Sequence, residues 1–167
     1  EAGTGTYTLS ARQTGNGTPP PAPPGDDYSS DTGTQGSITI GSSATGNLES
    51  RGDHDWFRMT LAAGQTYQFD MEGSATGRGS LGDSYLYLRN SSGGLITQND
   101  DSGTGLNSRI GYTATSAGTY FLDAGAYAEA GTGTYTLSAR QTGNGTPPPA
   151  PPGDDYSSDT GTQGSIT

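Results

Sequence analysis

Apolar and polar residues alternate along much of the chain, with a period of two rather than the three-to-four spacing of an amphipathic helix. In residues 55–61 (DWFRMTL), Phe57, Met59 and Leu61 share one face and Trp56, Arg58 and Thr60 the other. Residues 66–72 align Tyr67, Phe69 and Met71, and Ala63-Gly64 supplies a tight turn between the two runs. Residues 84–89 set Leu86 and Leu88 against Tyr85 and Tyr87. The same alternation marks residues 109–114 (Ile110, Tyr112), 119–124 (Tyr120, Leu122, Ala124) and 134–139 (Tyr135, Leu137, Ala139). Weaker strands are expected near 37–40, 46–49 and 95–98, for a total of eight or nine. Short strands at this spacing, separated by Gly-rich turns, predict an all-β fold, an antiparallel jelly-roll β-sandwich.

Composition supports that class. Only 28% of the 167 residues are hydrophobic, with 29 Gly and 10 Pro, which argues against a helical core because both residues are poor in helix interiors. Ten Tyr and one Trp nevertheless provide enough bulk to pack. The absence of Cys excludes disulfides and thiol chemistry. No apolar run approaches the ~18 residues of a membrane span, so membrane insertion is not expected.

Residues 1–39 recur without change at 129–167, a period of 128. The chain is therefore read as somewhat more than one unit of a longer tandem array. The Pro-rich segments TPPPAPPG at 18–25 and 146–153 read as extended linkers of about 25 Å each. The expected organisation is residues 1–12 as the last strand of a preceding repeat, 13–25 as linker, 26–141 as a complete sandwich, 142–153 as linker and 154–167 as the start of the next repeat. A further expectation is that the strand within residues 3–12 is completed by a neighbouring chain, giving a head-to-tail, strand-complemented filament.

Net charge is -10, and the acid is mostly Asp. This is the wrong sign for a nucleic-acid partner. Asp favours turns and oxygen-lined loops, and here it clusters: Asp26-Asp27, Asp53 and Asp55 around His54, Asn99-Asp100-Asp101, and Asp83. Adjacent carboxylates about 5 Å apart repel by roughly 3 kcal/mol at an effective dielectric of 20. A Ca²⁺ ion, which takes six to eight oxygens, reverses that sign, so Asp26, Asp27, Asp53, Asp55, Asp83, Asn99, Asp100 and Asp101 are the candidate ligands. The competing reading is that Asp and Asn only initiate turns at strand ends.

The ordered segments GDHDWFRMTLAAGQTYQFDMEG, LGDSYLYLRNSSGGLITQNDDSGTGLNSRIGYTATSAGTYFLDAG and GTGTYTLSA resemble the bacterial pre-peptidase C-terminal domain family. The resemblance covers nearly the whole module, from Asp26-Asp27-Tyr28 to Ala139. It implies an extracellular or cell-surface jelly-roll sandwich, often calcium-binding, attached to secreted peptidases or repeated in large RTX-type proteins. In relatives from clostridial collagenases, calcium lies between the entering segment and an early acidic loop, which adds weight to Asp26, Asp27, Asp53 and Asp55. His54 departs from the family pattern, where an uncharged or apolar residue is more familiar.

Other motifs carry less. Arg51-Gly52-Asp53 spells an integrin-type tripeptide, but Asp53 has a structural role available. His54 between two Asp suggests a hydrolase triad, yet no G-x-S-x-G elbow and no second His accompany it, so it reads as a solvated loop residue. The glycosylation-type patterns at Asn16, Asn90 and Asn144 are read as inert. Trp56, Tyr85 and Tyr87 are candidates for an aromatic ligand platform, against the alternative of burial. The function expected is a non-catalytic extender, stalk or fibre repeat, an adhesin-type spacer stiffened by calcium, with neighbouring copies as partners. The alternative is an accessory module that binds collagen or polysaccharide beside a secreted enzyme.

Overall fold

The computed structural model describes residues 25–144. Eight strands form two four-stranded antiparallel sheets: β1 (Ser42–Leu48), β2 (Asp55–Leu61), β3 (Gln65–Glu72), β4 (Ser84–Arg89), β5 (Leu95–Asn99), β6 (Ser108–Thr113), β7 (Gly118–Ala126) and β8 (Gly133–Asn144). One sheet runs β1-β8-β3-β6 and the other β2-β7-β4-β5. Only β4 and β5 are both consecutive and paired, and every other connection passes from one sheet to the other. The Ala63-Gly64 turn, with Gly64 at φ +73°, therefore carries the chain between sheets and does not close a hairpin.

Alternation explains which side chains meet. Phe57, Met59 and Leu61 from β2, Leu86 and Leu88 from β4, and Leu122 and Ala124 from β7 face Tyr67, Phe69 and Met71 from β3 and Tyr135, Leu137 and Ala139 from β8. Phe69, Met71, Leu86, Leu88, Leu122 and Leu137 are completely buried. β8 and β7 are interior strands of their sheets, as are β3 and β4. Removing a buried Leu from β7 or β8, as in Leu137→Ala, costs about 2–5 kcal/mol in such a core.

Several elements differ from the sequence expectation. Residues 37–40 do not form a strand: Ser37 makes one parallel bridge to Arg58, and Ile38 tucks into the core from this segment. The expected strand at 46–49 begins earlier, at Ser42, because the polar residues Ser42 and Ser43 pair with Ala139 and Ser138. β8 runs beyond its alternating residues to Asn144, past a register shift opposite Thr66 and Tyr67. That extension is polar and exposed, and periodicity could not mark it. The expected strand within residues 3–12, the TPPPAPPG linkers and the start of the next repeat lie outside the described residues. Among the described residues, no helix is long and apolar enough to cross a membrane.

Candidate functional site

The acidic site forms where the entering segment meets the β1–β2 loop. Asp26 and Asp27 lie on the entering segment, Glu49 and Asp53 on the loop, and Asp55 is the first residue of β2 with its side chain turned inward. The carboxylates of Asp26, Glu49 and Asp53, and likewise those of Asp26, Asp27 and Asp55, offer oxygens within 4.8 Å of one another. Backbone geometry holds them there. The Tyr28 N–H donates to Asp26 at 3.0 Å, the Asn47 N–H to Asp27 at 3.1 Å and the Glu49 N–H to Asp53 at 2.7 Å. Gly52, at φ +79°, makes the reversal that brings Asp53 back onto Glu49.

Asp55 is fully buried. Its Oδ2 accepts the Tyr135 hydroxyl at 2.5 Å, while its Oδ1 has no hydrogen-bond partner. Tyr135 reaches it because residue 46 is glycine: a Cβ there would sit 2.2 Å from the Tyr135 oxygen. Burial, reinforced by the charges of Asp27, Asp53 and Glu49 and opposed by the Tyr135 hydrogen bond, pushes Asp55 up to about 8. Asp26 and Asp27 are raised by desolvation and by neighbouring acids, and Glu49 is raised mainly by desolvation. Among the described residues none of these five carboxylates has an ion-pair partner. A buried carboxylate oxygen left without a donor is costly unless a cation reaches it. The donor set, all hard carboxylate oxygens from the entering segment, the β1–β2 loop and the start of β2, suits Ca²⁺.

A second acidic group combines two clusters that are separate in sequence. Asp83, Asp100 and Asp101 bring carboxylate oxygens within 4.8 Å of one another, and Asp83 Oδ1 and Asp100 Oδ1 have no hydrogen-bond partner. Desolvation and the neighbouring acids raise both Asp83 and Asp100. Asn99 does not join them. Its Oδ1 accepts the N–H groups of Ser102 and Arg109 at 3.1 and 2.9 Å, and its Nδ2 donates to Ser102 Oγ at 2.7 Å, which closes the loop.

The outer face of the β2-β7-β4-β5 sheet holds the aromatic candidates. Trp56 is buried, with the Arg89 guanidinium 4.8 Å over its ring and Phe121 at 5.6 Å, so it belongs to the sheet's covering and presents no platform. Tyr85 and Tyr87 are half-buried with ring centroids 4.8 Å apart, and Tyr127 stacks on Tyr85 at 6.3 Å. At the centre of this face the fully buried Asp123 accepts from Arg89 Nε at 2.7 Å and pairs with His54 Nδ1 at 2.6 Å. His54 Nε2 pairs with Glu129 at 2.9 Å. His54 is therefore clamped between two carboxylates and is not a solvated loop residue. The Asp123 hydrogen bond outweighs desolvation and raises His54 to about 9, so the ring is charged at neutral pH. Gly125 makes room for it, since a Cβ there would lie 2.9 Å from His54 Cε1.

Glu49, Asp123, Glu129 and Tyr127 escaped the sequence reading, and Tyr135 entered it only as an apolar position of the last strand. For Asp123 a signal existed: a carboxylate in the middle of the apolar run Tyr-Phe-Leu-Asp-Ala must have a partner if that run is a strand. Asn90, in a glycosylation-type pattern, spends its Oδ1 on the N–H groups of Ser92 and Gly94. Asp53, the acid of the Arg51-Gly52-Asp53 tripeptide, accepts the Glu49 N–H and is turned into the acidic cluster.

Comparison with known proteins adds four findings. The pre-peptidase C-terminal domain of a collagenase from Bacillus anthracis is similar in structure, at 18% identity and a TM-score of 0.48, covering 63% of this chain and 93% of that one. PliG from Aeromonas hydrophila, a periplasmic inhibitor of g-type lysozyme, is similar at 15% identity and a TM-score of 0.43, covering 63% of this chain and 96% of its own. No curated protein sequence matches the chain. Residues 53–126, from the acidic loop through the end of β7, match the family model of the bacterial pre-peptidase C-terminal domain.

Proposed function

We propose that this chain is a non-catalytic structural repeat of a long extracellular bacterial protein, a spacer whose acidic end is braced by calcium. The observation that carries the reading is Asp55: a buried carboxylate with one oxygen unpartnered, facing four other acids and, among the described residues, paired with no cationic side chain. Asp26, Asp27, Glu49, Asp53 and Asp55 would hold the ion, with Asp83, Asp100 and Asp101 as a weaker second group. Because Asp26 and Asp27 precede β1 and the others lie in or after the β1–β2 loop, a shared ion would fix the direction from which the chain enters the sandwich. At the 10⁻⁴ to 10⁻³ M affinity of extracellular modules, 1 mM calcium stabilises by only about 0.4–1.4 kcal/mol per site, so stiffness is the larger effect.

The order β1-β8-β3-β6 over β2-β7-β4-β5 supports a jelly roll, in which each strand of one sheet faces a sequence neighbour in the other. The unchanged recurrence of residues 1–39 at 129–167 supports a tandem array. A non-catalytic role is supported by His54, the one His in the sequence, whose two ring nitrogens are both engaged by carboxylates. The test is thermal melting and small-angle scattering with calcium and with chelator. The expected result is a higher melting temperature and a narrower distribution of shapes with calcium; melts and envelopes unchanged by chelation would overturn the reading.

A second reading, binding of collagen-like or polysaccharide ligands, draws on the Tyr85–Tyr127 stack, where Tyr127 is 50% exposed. Retention on immobilised ligand, lost on Tyr127→Ala, would favour it.

A further inference from the structure

The end of the sandwich opposite the acidic loop holds a cleft of about 380 Å³. The β2–β7 register sets Asp55 opposite Ala124 and Leu61 opposite Gly118, so the cleft, which Gly118 lines, lies a full strand length from the candidate cation site. One side is the β4–β5 turn at Asn90 and Ser91, and the other is the β6–β7 loop with the start of β7. Ile96, Tyr112 and Tyr120, all packed with the core, close it from within. The volume falls in the range of small-molecule sites, about 300–1,000 Å³.

Both sides are pinned. In the turn, the Asn90 N–H donates to the Gly94 carbonyl at 2.9 Å and the Gly93 N–H to the Asn90 carbonyl at 3.0 Å. Across the cleft, the Gly64 N–H donates to the Ala114 carbonyl at 2.7 Å and the Ala114 N–H to the Gln65 carbonyl at 3.0 Å, which ties the β6–β7 loop to the β2–β3 turn. The Tyr120 hydroxyl donates to the Ser116 carbonyl at 2.9 Å. Walls fixed in this way lose little freedom when a ligand enters. Gly118, at φ +143°, keeps the space open, since a Cβ there would meet nothing within 4 Å.

The lining carries no charged side chain, although the chain has 17 acidic residues and 7 Arg. It presents two aromatic rings, Tyr112 and Tyr120, with centroids 6.0 Å apart and planes at 59°. Asn90 spends its Oδ1 on the N–H groups of Ser92 and Gly94, so among the described residues its Nδ2 is a donor without a partner. The hydroxyls of Ser91 and Thr119 are likewise unpartnered among the described residues, and each can donate and accept. Desolvation raises Tyr112 above its ordinary value against an opposing hydrogen bond from Thr115, so its hydroxyl stays protonated at neutral pH.

These features select a ligand class. An ion meets no opposite charge, and a wholly apolar molecule strands the amide and hydroxyl groups without partners. A proline-rich peptide also stacks on aromatic rings, but its prolines offer carbonyl acceptors and no donors, which leaves the acceptor side of the hydroxyls unused. A sugar ring matches both: its C–H groups pack on the negative face of an aromatic ring, and its hydroxyls donate and accept in turn. We propose that this cleft is a binding site for a neutral pyranose saccharide, stacked on Tyr112 and hydrogen-bonded by Asn90 Nδ2 and the Ser91 and Thr119 hydroxyls. The site is separate from the Tyr85–Tyr127 face and requires no cation.

The experiment follows backbone and side-chain amide resonances of the isotope-labelled full chain during titration with cellobiose, lactose and mannobiose, which present gluco, galacto and manno rings. The expected result is saturable shifts with at least one of them at millimolar concentration, centred on the Asn90 side-chain amide, Ser91, Gly118 and Thr119, in calcium and in chelator alike. Tyr112→Ala should abolish them. Ser91→Ala, at an exposed position, should weaken binding about 2- to 10-fold with the melting temperature unchanged, and it decides the matter if Tyr112→Ala does not fold. No saturable shift with any of the three sugars, shifts confined to Tyr85 and Tyr127, or full affinity in Ser91→Ala would overturn the proposal. So would equal or tighter binding of glucuronate, or a proline-rich peptide occupying the cleft where the sugars do not. Saccharide binding lost in chelator would contradict its independence of the cation, whereas saccharide binding without any calcium binding would count only against the calcium reading.

Discussion

Tyr135 of β8 donates its hydroxyl to Asp55 of β2 at 2.5 Å, joining the two sheets directly beneath the acidic loop. This bond links the core to the candidate cation site, because the other oxygen of Asp55 faces the cluster unpartnered. Tyr135→Phe removes the group that moderates the Asp55 carboxyl and leaves both of its oxygens without a donor. The variant is expected to lose about 1–3 kcal/mol of stability by denaturant titration, with Asp55 pushed further up.

Asp55 sets a pH dependence in the calcium-free protein. Its carboxyl is raised in the folded state from 3.8 to about 8, so the folded state holds a proton that the unfolded state releases. Its contribution is fully present below about 4 and is lost as pH rises through about 8. In chelator, the melting temperature should therefore fall between pH 5 and 8.5 more steeply in the unaltered protein than in Asp55→Asn. Calcium should flatten the decline.

His54 acts in the same direction over a later window. Raised from 6.5 to about 9, its charged form stabilises the fold fully below about 6.5 and ceases to do so above about 9. His54→Gln should lower stability at pH 6 and remove the part of the decline between pH 6.5 and 9, read by denaturant titration at a series of pH values. The control is His54→Gln with Asp55→Asn, which should lose most of the decline across both windows.

Gly125→Ala places a methyl 2.9 Å from the His54 ring, with Asp123 and Glu129 fixing that ring on either side. Overpacking of this kind costs about 1–3 kcal/mol. The expected readout is a lowered melting temperature together with a His54 proton resonance that titrates nearer to pH 6.5.

The sandwich was legible where alternation was strict. The β2 run Phe57-Met59-Leu61 and the β4 run Leu86-Leu88 both lie on the core face that their spacing predicts. Alternation did not reveal the polar ends of β1 and β8, which hold their register through backbone bonds. Nor could it show that Trp56, on the outward face of β2, is covered by Phe121 and Arg89 from other strands. Proximity in sequence picked out Asp26, Asp27, Asp53 and Asp55 as carboxylates, and the fold brings them together. It could not add Glu49, whose place depends on the turn at Gly52, or unite Asp83 with Asp100 and Asp101 across the β4–β5 hairpin. Asn99 shows the limit of residue type as a guide: an oxygen donor beside two acids, it is consumed by its own loop and by the start of β6.

Calorimetric titration of calcium into the full chain and into Asp55→Asn at pH 8 probes the acidic end most directly. The unaltered protein should bind with a dissociation constant of about 10⁻⁴ to 10⁻³ M, releasing protons as Asp55 ionises, and Asp55→Asn should lose that binding at the Asp26, Asp27, Glu49 and Asp53 cluster. Equal binding by both proteins, or none by the unaltered one, would contradict a cation held against the buried carboxylate.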